Sequence, residues 1–88
     1  MVHDLKIREE FAEAIAAGEK TFEIRFNDRG YQKGDTVCFL VVDENGIHQY
    51  HPIEEEVFEI TYVLNGWGLE NGYVVFGIRR EEAGDAAD

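Results

Sequence analysis

Lys20, Glu23 and Arg25 place a cation, an anion and a second cation within six residues, just ahead of the polar run Asn27-Asp28-Arg29. A carboxylate between two cations can accept hydrogen bonds or a proton. The five donors of a guanidinium suit a phosphate or the edge of a base. Such a cluster also has plain readings. Glu23 and Arg25 could be a solvated surface ion pair of little energetic weight. Asn27 and Asp28 have the side chains that bond their own backbone in turns. Arg29 is less easily explained that way, because a turn needs no guanidinium.

The elements around the cluster determine where it points. Gly18 is the expected stop of a helix over residues 9–17, since glycine accepts the positive φ of the position after a helix end. In that helix Phe11, Ala14 and Ile15 form an apolar stripe, and Glu9 and Glu10 suit the positive end of the helix dipole. A strand over 21–26 follows. Alternation along it puts Phe22 and Ile24 on one face and Thr21, Glu23 and Arg25 on the other. The apolar pair is expected inward, leaving the charged pair outside.

Other segments read as strands over 3–7, 36–43, 47–50, 57–64 and 73–79. Leu5 and Ile7 point inward in the first, and residues 36–43 are apolar on both faces, as in a central strand. The pair Asn45-Gly46 is a hairpin signal between the third strand and its return, and Pro52 marks an interruption or an edge. Phe58, Ile60, Tyr62 and Leu64 alternate onto one face. The core expected from these patterns is Phe22, Ile24, Phe39, Ile60, Tyr62, Val74 and Phe76. Residues 1–80 read as a single domain and 81–88 as an acidic, disordered tail. The class is α+β and mostly β: a small barrel of five to six strands with one flanking helix, closed so that no long edge is exposed.

Eighty-eight residues support one hydrophobic core. No stretch is long and apolar enough to span a membrane, and no basic-then-apolar leader is visible. The lone Cys38, in an apolar run, reads as a buried inert thiol and fits a reducing cytoplasm. The net charge of −11 argues against sequence-independent coating of nucleic acid. The charge is uneven, however. Residues 1–35 hold six basic and eight acidic side chains, whereas 36–88 hold two and eleven. Lys6, Arg8, Lys20, Arg25, Arg29 and Lys33 could therefore form one focal basic site on a repelling body.

Gly18, Lys20, Glu23 and Arg25 reproduce a G-x-K-x-x-E-x-R pattern, and the chain thereby resembles the ASCH domains, small barrels related to the RNA-binding PUA domains. His3-Asp4-Leu5-Lys6-Ile7, Lys20 to Arg25 with Asn27-Asp28-Arg29, Gly34-Asp35, Ile60 to Leu64 and Gly72 to Val75 extend the likeness to short bacterial and phage ASCH-like proteins. The resemblance implies a PUA-like barrel whose helix flanks a ligand cleft. It points to RNA, a short single strand or a modified nucleoside as partner, with no cofactor. Lys20, Arg25 and Arg29 would then hold phosphate or carbonyl groups, and Glu23 would accept from an exocyclic amine. One ASCH branch resembles an amidohydrolase of N4-acetylcytidine that uses the signature lysine and a threonine three residues later. Here Glu23 stands at the threonine position, so binding is expected ahead of hydrolysis; if there is catalysis, it falls to Lys20 and Glu23.

Three further residues complete the expected site. His3 matches the family near the first strand and is expected at the pocket. Lys6 belongs to the basic group. Trp67, between Gly66 and Gly68, caps the open end of the barrel or offers a stacking face to a base, and Tyr31 and Tyr62 raise the same question. His48 and His51 have ligand-type side chains, but their spacing on a strand puts them on opposite faces, so no metal site is expected.

Overall fold

The protein is described from a computed structural model, which covers residues 1–81. The residues from 82 on, most of the expected acidic tail, lie outside the described part. Five strands and one helix follow in the order β1 (Val2–Arg8), α1 (Glu9–Ala16), β2 (Phe22–Phe26), β3 (Thr36–Val42), β4 (Phe58–Asn65) and β5 (Tyr73–Arg80). A short 3-10 turn, Pro52–Glu55, precedes β4. All five strands join one sheet in the order β1-β3-β4-β5-β2. β1 and β3 are parallel, linked by a crossover that contains α1 and β2, and the other pairings are antiparallel.

The sheet is not closed into a barrel. β1 and β2 are its two edges, and side chains bridge the seam between them in place of a backbone ladder. A guanidinium nitrogen of Arg25 donates to the carbonyl oxygen of Lys6 at 2.7 Å, and Nη1 of Arg29 donates to that of Asp4 at 3.1 Å. Residues two apart on a strand point their carbonyls to the same side. The two arginines thus satisfy successive free acceptors on the β1 edge.

α1 ends as the sequence suggests. The amide of Gly18 donates to the carbonyl of Ile15 at 3.0 Å, and Gly18 takes φ +79°. The face it buries differs, with Ala12 and Ile15 in the core and Phe11 turned outward.

The larger correction concerns β2, whose faces are the reverse of the expected ones. Glu23 is only 4% exposed, while Phe22, Ile24 and Phe26 face out. Register explains it. Glu23 pairs with Phe76 and Arg25 with Val74, and directly opposed residues share a face. Phe76 and Val74 are buried, so Glu23 and Arg25 lie on the core side.

β4 departs in a similar way. A bulge between Ile60 and Tyr62 absorbs Thr61 and flips the alternation. Phe58 and Ile60 remain buried, Tyr62 turns outward and is 64% exposed, and Val63 packs against the core. Phe39, Ile60, Val74 and Phe76 therefore occupy the core as expected, and Phe22, Ile24 and Tyr62 do not. The residues that fill the space are Leu5, Ile7, Ile53 and Tyr31. The segment 47–50 does not form a full strand. Asp43 closes the hairpin by accepting from the amides of Asn45 and Ile47, but only one bridge, Val42 to His48, follows before the chain turns off at Pro52. Cys38 is half-buried on β3. Burial pushes its thiol pKa up, reinforced by the carboxylates of Asp4 and Glu81.

Candidate functional site

β2 brings the signature side chains to the seam. Oε1 of Glu23 accepts from Nε of Arg25 at 3.0 Å and from a terminal guanidinium nitrogen at 2.9 Å. Its Oε2 meets the ammonium of Lys20, which also donates to the carbonyl of Phe22 at 2.6 Å. The buried carboxylate is thus neutralised on both oxygens, which is the condition for keeping a charge out of water. Arg25 has a second task, since it also ties β2 to the β1 carbonyl of Lys6.

The Lys20 ammonium lies 5.0 Å from the ring centre of Phe22 and 5.5 Å from that of Phe11. These distances allow cation–π attraction. Phe11, Phe22, Ile24, Phe26 and Tyr73 form the apolar walls of a cleft of about 540 Å³, with Glu23 and Arg25 at its floor and Lys6, Arg8 and Lys20 around it. Among the described residues the Lys6 ammonium has no hydrogen-bond or ion-pair partner, whereas Arg8 is held by Glu10 at 3.1 Å. Sequence reasoning missed the walls. Their signal lies in the alternation of Phe22 and Ile24, which the pattern alone assigns to the core.

The remaining expected site residues separate from this cleft. Arg29 sits at the seam on the Asp4 carbonyl. Asn27 serves the turn: its Oδ1 accepts from the amide of Tyr31 at 3.0 Å, and its amide donates to the Gly72 carbonyl at 2.8 Å. It lines a separate depression with Asn65, Leu69 and Glu70. The amide of Asp28 donates to the Phe26 carbonyl, and its side chain is exposed. His3 is buried below the seam, 2.8 Å from Asp35 through Nε2, with its ring 4.8 Å from that of Tyr31. That contact holds the Asp35 carboxyl below its ordinary value of 3.8. Trp67 neither caps the core nor lines the cleft. It is 89% exposed and adopts φ +54°.

Tyr31, a candidate stacking face in the sequence, is instead buried in the core and does not line the cleft. Its ring lies on Phe76 at 4.7 Å. Burial raises its phenol pKa, opposed by the nearby charges of Arg25 and Arg29. It therefore supports the inner side of the two bridging arginines.

His48 and His51 do not meet. His48 contacts Glu54 at 2.9 Å. His51 accepts at Nδ1 from the amide of Ile53, so Nε2 carries the proton given to Glu13 on α1 at 3.0 Å. Among the described residues no group of three or more metal-ligating side chains gathers, and no helix is long and apolar enough to cross a membrane.

These features define a small, open-sheet α+β protein with a charged cleft floor between aromatic walls. The chain belongs to the family of the domain of unknown function DUF3850, whose model matches residues 2–78. Its fold is similar to that in the crystal structure of the hypothetical protein PH0355. The TM-score is 0.61 at 18% identity, covering 92% of this chain and 100% of that one. A comparison with curated proteins gives no match.

Proposed function

We propose that the chain is a binding module of the ASCH/PUA-like kind, a version of that barrel left open at one seam. Its cleft takes a nucleotide, a modified nucleoside or the end of a short single-stranded RNA. The observation that carries this reading is the gathering of Lys6, Arg8, Lys20 and Arg25 around aromatic walls on a chain of net charge −11. An anionic ligand with a planar group is attracted there and repelled elsewhere.

The roles differ from those the sequence suggested. Arg25 and Arg29 are committed to β1 carbonyls, so phosphate contact falls first to the unpaired Lys6 and then to Arg8. A base laid against Phe22 and Phe11 would lie beside Lys20. Glu23 keeps lone pairs beyond those it uses and can accept from an exocyclic amine.

Hydrolysis of an N4-acetylcytidine-like nucleoside is the second reading, favoured by the contact of Lys20 with Glu23. In it Glu23 takes a proton from water as the oxygen adds to the acetyl carbonyl, then returns it to the cytosine nitrogen as the C–N bond breaks, giving acetate and cytidine. Thr21, the nearest hydroxyl in sequence, lines a depression with Lys20, Ile15 and Arg79 and not the cleft that Glu23 and Arg25 line, which weighs against a threonine nucleophile in that cleft. Amide-resolved NMR titration with nucleoside monophosphates and N4-acetylcytidine separates the readings. Binding shifts the Lys6 and Lys20–Arg29 amides and returns the acetylated nucleoside intact. Cytidine release that Lys20→Ala abolishes makes the chain a hydrolase. Silence of those amides at millimolar ligand removes both.

A further inference from the structure

A second depression lies beside the cleft, at the connection from β4 to β5. It encloses about 490 Å³, and Asn27, Asn65, Glu70 and Asn71 line it with Leu69. That volume falls in the range of small-ligand pockets. The depression and the cleft share one wall, Phe26 and Tyr73, whose rings meet edge-to-face at 5.6 Å. Loop asparagines ordinarily bond nearby backbone, as Asn27 does by accepting from the Tyr31 amide. Asn65, Glu70 and Asn71 are exposed, and among the described residues their side chains have no hydrogen-bond or ion-pair partner. The turn above them is unusual as well. The amide of Leu69 donates to the Gly66 carbonyl at 3.0 Å, and both residues between them take positive φ, Trp67 at +54° and Gly68 at +92°. Turns of that kind favour Gly, Asn or Asp at such positions. Trp67 takes one of them with its indole 89% exposed, so packing does not explain it. Backbone strain of this sort gathers at ligand-contacting positions.

Resting on the binding reading above, we infer that this depression is a second subsite for the same ligand. The ligand is then a strand of at least two nucleotides, and the subsite takes a base with an exocyclic amine, such as adenine, beside the Trp67 indole. The lining chemistry selects that occupant. No lysine or arginine lines the depression, and Glu70 repels anions, so a phosphate is not held there. On a body of −11 a free nucleotide is not drawn to it either. A base carried past Phe26 and Tyr73 by a strand whose phosphate is held at Lys6 is brought there by its own backbone. Each side-chain amide of Asn65 and Asn71 offers a donor and an acceptor, the pair that matches N7 and the amine of adenine. The Glu70 carboxylate accepts from an amine and not from the carbonyls of uracil. Trp67 stands on the turn whose Gly66 and Leu69 line the depression, and its free ring face stacks on any base. The indole thus supplies affinity, and the amides with Glu70 supply the preference.

Trp67 is the only tryptophan of the chain, so its fluorescence reports on this subsite. The probes are AMP, UMP and the 5′-phosphorylated dinucleotides of adenosine and of uridine, followed by fluorescence and isothermal titration. The adenosine dinucleotide should bind at least about 10-fold tighter than AMP, as one added stacked base allows. It should quench Trp67, whereas AMP should not. The uridine dinucleotide should gain less over UMP. Trp67→Gly should remove most of the adenosine gain and leave AMP affinity unchanged, since Trp67 does not line the cleft. Asn71→Ala should bring the adenosine gain down toward that of uridine. If Trp67→Gly fails to fold, quenching in the unaltered chain decides. Equal affinities for AMP and its dinucleotide, an unquenched Trp67, a gain that folded Trp67→Gly retains, or an equal gain for uridine overturns the inference. AMP reads the cleft alone. Binding of AMP with no gain for the dinucleotide sinks the second subsite and keeps the binding reading, while silence toward all four probes sinks both.

Discussion

Arg25 reaches across the open seam to the backbone carbonyl of Lys6, 2.7 Å away, while its Nε holds the buried carboxylate of Glu23. One side chain thus joins the two edges of the sheet and neutralises the charge beneath them. This dual role makes the signature cluster structural as well as chemical. A ligand held in the cleft as proposed would act on the same contacts that keep the seam together.

The first prediction follows from that coupling. Arg25→Ala leaves Glu23 with Lys20 alone and frees the Lys6 carbonyl, and should cost about 2–4 kcal/mol in urea unfolding. Lys20→Ala removes one partner without opening the seam, and should cost less. Equal costs for the two variants would show that the Lys6 bridge contributes nothing.

The reversed faces of β2 give a second test. Phe76→Ala should destabilise by about 3–5 kcal/mol as a buried aromatic truncation. Phe22→Ala, at an outward position, should cost under about 1 kcal/mol, measured on dilute protein. A large cost at Phe22 would restore the phase that the sequence suggested.

That comparison also marks what could be read from the sequence. The elements are legible because their signals are local: Gly18 stops α1, Asn45-Gly46 turns the hairpin, and alternation in residues 73–79 gives β5 its inner Val74 and Phe76. The face of β2 is not, because periodicity reports alternation and not which set faces inward. In a strand with apolar residues on one face and a self-neutralised ion cluster on the other, both assignments fit the pattern. Only the pairing with β5 decides. Tyr62 was misplaced for another reason, since a bulge shifts register without leaving a mark in composition. Glu23 and Arg25 were found as a pair because their two-residue spacing puts them on one strand face whichever face that is, and Lys20 joins them from the segment just before β2.

A third prediction concerns acid. Asp35 is held below its ordinary 3.8, first by its contact with His3. A carboxyl whose folded pKa is depressed contributes stability above its unfolded pKa, and that contribution is lost as pH falls through the folded value. Asp43 and Glu54 are shifted the same way by backbone amides. Unfolding free energy should therefore decline as pH drops below about 4, and Asp35→Asn should decline less steeply over the same range. An unchanged slope in Asp35→Asn would assign the acid sensitivity to the other carboxyls.

Trp67 supplies a fourth. A bulky residue at φ +54° is strained by roughly 1–2 kcal/mol, and its exposed indole recovers almost none of that by packing. Trp67→Gly relieves the strain but loosens the unfolded chain, so a net gain of about 0.5–1 kcal/mol is expected in thermal or urea unfolding. A loss would mean that the indole makes a contact important to the fold.

The last prediction separates focal nucleotide binding from general attraction to polyanions. The cleft offers one unpaired ammonium, Lys6, beside the weakly paired Arg8, so only a few phosphate charges can be neutralised. Affinity for a mononucleotide or short single strand should then fall with salt by a slope of about one to two. Lys6→Ala should reduce that slope by about one, because its cation makes no described internal contact and its loss leaves the fold intact. Arg79→Ala and Arg80→Ala should change neither slope nor affinity. Arg79 is engaged by Glu59, and Arg80 by Glu56 and the helix-end carbonyl of Ala16 at 3.3 Å. Isothermal titration at several salt concentrations gives the slopes directly. A steep slope, or one that responds to Arg79→Ala rather than Lys6→Ala, would move the phosphate contacts off the cleft and end the case for it as the binding site.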